Sequence, residues 1–140
     1  MIRTILIDDE ALARDIVKHY LKAFPTIEVV AECSDGFEGL KAIAQHQPDL
    51  IFLDIQMPKI SGFEMLELVE KRPAVIFTTA FDEYAIKAFE VNAVDYLLKP
   101  IEQSRFEQAM QKLPTKLAKG DDSQELLETA SLSPAQNNRV

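Results

Sequence analysis

Leu50-Ile51-Phe52-Leu53-Asp54 decides the fold: four large apolar residues in succession halt at a carboxylate. A short run without polar alternation reads as a parallel strand covered by helices on both faces, and ligands of open α/β sheets bind beyond the carboxyl ends of such strands. Two further runs stop in the same way. Ile5-Leu6-Ile7 ends at Asp8-Asp9, and Val94-Asp95-Tyr96-Leu97-Leu98 ends at Lys99-Pro100. Three carboxylates and one lysine are therefore expected along one edge of one sheet.

Outward from these runs, strand and helix periodicities alternate five times. Strands are expected at 2–7, 27–33, 49–53, 74–78 and 94–98. The first helix, 11–24, carries an apolar stripe of Leu12, Ile16, Tyr20 and Ala23 and stops at Pro25. The second lies between Gly36 and Pro48 with Phe37, Leu40, Ile43 and Ala44 on one side. Helices at 63–70, 83–91 (Ala85, Ala88 and Phe89 inward) and 102–113 (Phe106, Ala109, Met110 and Leu113) follow. The 27–33 strand alternates apolar with polar residues, which suits a sheet edge. Five βα units joined by right-handed crossovers predict an α/β fold: a single doubly wound (βα)5 flavodoxin-like domain, its five-stranded parallel sheet in the order 2-1-3-4-5. A closed barrel needs eight units and roughly 250 residues. Beyond Pro114 the periodicity weakens, so residues 1–113 read as the domain and 114–140 as a linker or disordered tail.

Composition excludes several functions. The chain has 140 residues, 47% of them hydrophobic, enough for one real core. A net charge of -8 opposes direct grip on a nucleic-acid backbone or an anionic membrane. The tail is no basic arm either, with three basic residues (Lys116, Lys119, Arg139) against four acidic ones (Asp121, Asp122, Glu125, Glu128). No run approaches the roughly 18 apolar residues of a membrane span, and residues 1–4 lead straight into a strand, so a cytoplasmic protein is expected. The lone cysteine, Cys33, reads as buried filler.

Two like charges about 4 Å apart repel by roughly 4 kcal/mol near a protein surface. Three converging carboxylates thus call for a cation, and an all-oxygen, half-wet donor set suits Mg²⁺. Asp9 and Asp54 are its expected ligands, with Asp8 beside them; either of the adjacent pair can be the closer one. Asp54, ending the most apolar strand, is the candidate nucleophile for an acyl phosphate. Lys99 offers a point charge to a phosphoryl oxygen and Thr79, closing the fourth strand, a hydroxyl. Taken singly, an Asp-Asp pair is often a helix cap and Lys-Pro a common loop dipeptide. Their coincidence at the ends of strands one, three, four and five sets them apart. His19 and His46 sit on helices, away from these ends.

These pieces, Ile7-Asp8-Asp9-Glu10, Leu53-Asp54-Ile55-Gln56-Met57-Pro58, Gly62, Phe77-Thr78-Thr79-Ala80 and Leu98-Lys99-Pro100, resemble the receiver domain of bacterial two-component response regulators. Thr79-Ala80-Phe81-Asp82-Glu83-Tyr84-Ala85-Ile86-Lys87-Ala88-Phe89 further resembles the LytTR-type (LytR/AlgR-like) subgroup. The resemblance implies that Asp54 accepts a phosphoryl group from a sensor histidine kinase. It implies that Asp9, Asp54 and the backbone carbonyl of Gln56 bind Mg²⁺, supported by Asp8 through water. Lys99 then pairs with the phosphoryl group, Thr79 moves toward it, Tyr96 changes rotamer as a switch, and the bond before Pro100 is cis. DNA would be contacted only through a C-terminal output domain, absent from this chain; a receiver acting alone through protein contacts is the alternative. Helix four, strand five and helix five are the expected homodimer face, with Lys87, Glu90, Asp95 and Arg105 pairing between subunits.

Two other classes stay open. A Mg²⁺-dependent phosphatase with an aspartyl nucleophile usually needs an acid two residues further on, where this chain has Gln56. A flavodoxin-like cofactor binder lacks its phosphate loop, because Asp8-Asp9 would repel the phosphate.

Overall fold

The computed structural model describes residues 1–121. Five parallel strands, β1 (Ile2–Ile7), β2 (Ile27–Cys33), β3 (Leu50–Asp54), β4 (Ala74–Thr79) and β5 (Asp95–Leu98), form one sheet in the order β2-β1-β3-β4-β5. They alternate with helices α1 (Ala11–Leu21), α2 (Gly36–His46), α3 (Gly62–Glu67), α4 (Ala85–Glu90) and α5 (Gln103–Asp121). Both the five-unit fold and the strand order match the expectation. β2, the alternating strand, is an edge, and β3, the most apolar, lies at the centre with all five residues buried.

The pleat sends successive residues to opposite faces, so one strand feeds two cores. Ile51 and Leu53 join Ile5, Ile7, Val75 and Phe77 beneath α2, α3 and α4. Leu50 and Phe52 join Leu6, Ile76, Leu97 and the inner residues of α1 and α5 on the other side. Phe106 organises this second core. It is fully buried, lies nearly parallel to Phe52 with centroids 5.7 Å apart, and meets the Tyr20 and Phe24 rings at 5.3 and 6.1 Å.

Three helix faces turn differently from the sequence reading. In α1, Val17 and Leu21 are buried and Leu12 is exposed. Tyr20 keeps its expected inward place against Phe106, but Val17, Leu21 and Phe24 pack beside it in place of the expected Leu12 and Ala23, so the buried face is rotated around the helix. In α2, Phe37 and Ala44 are exposed, and the glycine side faces inward. A Cβ on Gly39 would stand 2.8 Å from Ile7 Cδ1, so the bare backbone lets α2 lie close to β1. In α4, Phe89 points outward at 83% exposure and Ile86 at 73%, while of the helix's 6 residues Ala88 is the buried one. A 3₁₀ turn at Asp82–Tyr84 precedes α4 and changes the rotation per residue, which displaces the stripe counted from Glu83.

The four residues expected inside α5, Phe106, Ala109, Met110 and Leu113, are all buried. The helix does not end at Leu113 but continues through Pro114 to Asp121. Pro114 lacks the N–H that would bond the carbonyl four residues back, the reason for expecting a stop there, yet helical backbone persists beyond it. The rest of the expected tail, 122–140, lies outside the described residues. Among the described residues, no helix is long and apolar enough to cross a membrane.

Candidate functional site

Parallel pairing brings every strand's carboxyl end to one edge. β1 and β3 pair up to Ile7 opposite Leu53, so Asp8-Asp9 and Asp54 leave the sheet side by side. Asp54 aligns with Thr78, and Thr79 with Leu98, one residue before Lys99. Asp8 and Asp9 escape the strict alternation of a strand because β1 has already ended. One carboxylate oxygen from each of Asp8, Asp9 and Asp54 lies within 4.8 Å of the others, a spacing one divalent cation can bridge. Asp8 and Asp54 are buried and Asp9 is exposed, which gives such an ion both protein and water ligands.

The electrostatics follow from this crowding. Burial first, then the charge of Asp8, pushes the Asp54 carboxyl well above the ordinary carboxylate range, while Lys99 opposes the shift. Lys99 is also largely buried, which favours its neutral form, but Glu10 and Asp8 outweigh burial and raise its basicity. Its Nζ lies 3.0 Å from Asp8 Oδ2, 3.5 Å from Asp54 Oδ2 and 2.7 Å from Glu10 Oε1. The Lys99–Pro100 bond is cis, as the resemblance implied.

The β3–α3 loop is pinned from below. Gly62 starts α3 and donates its N–H to the Ile55 carbonyl at 2.8 Å. A Cβ there would stand 2.5 Å from the Asp54 carbonyl oxygen, so only glycine permits this approach. Ser61 and Glu64 complete a reciprocal capping box at the same helix start. Gln56 and Asp9 line one cavity of about 600 Å³, and the Gln56 amide donates to the Tyr84 hydroxyl at 2.7 Å.

Thr79 is fully buried, and its hydroxyl accepts the Phe81 N–H at 3.2 Å. The Tyr96 hydroxyl donates to the carbonyl of the same residue, Phe81. His19 stands beside Tyr20, and the carbonyl of His46 holds Arg3, so neither histidine belongs to the cluster. Cys33 is buried, and burial pushes its thiol up to about 11, as filler rather than nucleophile.

Two of the four charged residues expected to pair between subunits, Asp95 and Arg105, are paired with each other in this chain. Asp95 is held within its own subunit by both guanidinium nitrogens of Arg105, at 2.7 and 2.8 Å, and by Lys112 at 3.0 Å. With its side chain 7% exposed, Asp95 is consumed internally, and it takes Arg105 with it. The sequence reading also gave no role to Glu10, Tyr84 or Phe81. Glu10 sits in plain view beside Asp8-Asp9, but its partner is 89 positions away, beyond the reach of any local pattern.

Comparison with known proteins agrees with this geometry. The response regulator receiver domain family matches residues 4–111. The Transcriptional regulatory protein BtsR of Escherichia coli (strain K12) is 50% identical over 125 residues, covering 88% of this chain and 52% of that protein. An uncharacterized response regulatory protein of Vibrio cholerae is 47% identical, covering 88% and 53%. The chain thus spans about half the length of the curated relatives it matches. Among solved structures, the response regulatory domain of mrkE from Klebsiella pneumoniae superposes with a TM-score of 0.75 at 33% identity, covering 84% of this chain and 98% of that one. The REC domain of AraT from Geobacillus stearothermophilus gives 0.76 at 30%, covering 86% and 98%. Sheet order, carboxylate edge and sequence kinship converge: this chain belongs to the response regulator receiver domain family.

Proposed function

We propose that Asp54 is a phosphoacceptor, loaded by the phosphohistidine of a sensor kinase. The N–P bond of the phosphohistidine breaks as an Asp54 oxygen forms the O–P bond; the imidazole nitrogen keeps the electron pair and takes up a proton. Asp9, Asp54 and the Gln56 backbone carbonyl hold Mg²⁺, with Asp8 supporting them through water. Bound there, the ion supplies positive charge against the phosphoryl oxygens. Lys99 pairs with the phosphoryl group. Thr79 gives up the Phe81 N–H to reach it, and the Tyr96 hydroxyl follows Phe81. The role is regulatory rather than catalytic. A phosphatase would need a proton donor at Gln56, whose amide is engaged with Tyr84.

The observation that carries this reading is a buried carboxylate set among two others with a lysine 3.5 Å away. Such an acid is costly unless a cation and a phosphoryl group complete the charge pattern. In the whole protein we place a LytTR-type DNA-binding domain after a linker, consistent with relatives named as transcriptional regulators and with an acidic domain unsuited to DNA itself. Two copies associate through α4, β5 and α5, where Ile86, Phe89 and Leu98 lie open. Intact mass after incubation with acetyl phosphate and Mg²⁺ tests the core of the reading. One phosphoryl group is expected on the wild type and none on Asp54→Asn; an equal gain on both would falsify it.

A further inference from the structure

An ammonium has three protons to donate. Lys99 faces three carboxylates and donates to two of them, Asp8 and Glu10, with Asp54 an ion-pair partner at 3.5 Å, so it is engaged before any phosphoryl oxygen arrives. The three partners differ in one respect. Asp8 and Asp54 have side chains only 8% and 5% exposed, whereas Glu10 is 61% exposed and is also the nearest, at 2.7 Å. Releasing a buried carboxylate leaves it without water; releasing Glu10 returns it to solvent at little cost.

Glu10 is also free for this task. It occupies the residue before α1, where a side chain commonly caps the helix, yet it makes no cap hydrogen bond. Its N–H donates to Asp8 Oδ1 at 2.9 Å, which fixes its backbone while the carboxylate crosses the mouth of the site to Lys99.

We infer that Glu10 is a positioning residue: it parks Lys99 in the unphosphorylated protein by occupying the place on the ammonium that a phosphoryl oxygen later takes. This deepens, and rests on, the reading of Asp54 as phosphoacceptor. Phosphorylation then exchanges one exposed anion for another on Lys99, and Glu10 opposes the loaded state both as competitor and as like charge.

The full chain is compared with its Glu10→Gln and Glu10→Asp variants. In the metal-free protein, Glu10→Gln should shift the Lys99 side-chain Cε and Hε resonances and lower the melting temperature by no more than a few degrees, as the loss of one partly exposed ion pair requires. In titrations with beryllofluoride and Mg²⁺, followed by amide spectra, Glu10→Gln should bind about threefold to fivefold more tightly, the ratio expected of one lost, partly exposed ion pair. That advantage should shrink as salt rises, and Glu10→Asp, which keeps the charge, should stay within about twofold of the wild type. Unmoved Lys99 resonances, or Glu10→Gln binding equal to or weaker than wild type, would overturn the parking role. If the wild type itself ignores beryllofluoride, the phosphoacceptor reading fails, and the parking role falls with it.

Discussion

Thr79 and Tyr96 hold opposite ends of one residue: the Thr79 hydroxyl accepts the N–H of Phe81, and the Tyr96 hydroxyl donates to its carbonyl. Neither side chain can move without changing the tension on the segment that leads into α4. Tyr96→Phe and Thr79→Val should each cost about 1 kcal/mol, one hydrogen bond apiece. Because the two bonds share Phe81, the double variant should depart from additivity. Urea melts of the four proteins check this; simple addition would mean the two grips act independently.

Asp54→Asn removes one of three mutually repelling carboxylates. Without metal, the variant should melt several degrees above the wild type at neutral pH, corresponding to about 1 kcal/mol. Addition of Mg²⁺ should raise the wild-type melting temperature more than that of the variant. Calorimetry with and without the ion reads both effects.

Asp95 supplies a pH signature. Burial works against its charge, but Arg105, the Tyr96 N–H and Lys112 together hold its carboxyl below the ordinary range. A lowered folded pKa contributes stability above the unfolded value, about 3.9, and that contribution is lost as pH falls through the folded pKa. Asp95→Asn should therefore cost about 1–2 kcal/mol at pH 7, while the stability difference from wild type narrows below about pH 4. Urea melts at pH 7 and pH 3 are the measurement.

Gly62→Ala would drive a methyl group against the Asp54 carbonyl oxygen. The backbone clash should cost about 1–3 kcal/mol and displace Asp54 from its companions. A lower melting temperature together with slower labelling by acetyl phosphate is expected. A loss of stability with unchanged labelling would place the strain away from the site.

Phe89→Ser tests the open face. Phe89 is 83% exposed, so the substitution should change stability by less than about 0.5 kcal/mol. If two copies meet there, sedimentation with beryllofluoride and Mg²⁺ should show a dimer for wild type and a weakened one for the variant.

What the amino-acid order revealed depended on range. Strand ends were readable because buried parallel strands leave continuous apolar runs, and Asp54, Thr79 and Lys99 stand where such runs stop. The crossover rule and the common doubly wound topology then supplied the sheet order without knowledge of any contact. Helix faces were less readable. On α1 the packed face shares Tyr20 with the expected stripe but takes Val17 and Leu21 in place of Leu12, a rotation set by what the sheet and Phe106 present, and α4 inherits its phase from a 3₁₀ turn with no distinct sequence mark. Pro114 signalled an end that the helix passes through. Pairings such as Glu10 with Lys99, or Asp95 with Arg105 and Lys112, depend on which neighbours tertiary folding supplies, and charge composition does not name them.

The two helices that flank β5 are anchored unequally. α5 inserts Phe106, Ala109, Met110 and Leu113 into its core, whereas α4 commits a single methyl group, that of Ala88. Sliding α5 would open a void lined by aromatic rings; rolling α4 disturbs almost no packed volume. A disturbance at the carboxylate edge will therefore spend itself on the loosest neighbour, and the direction in which the domain speaks is fixed by where it is thinly nailed down.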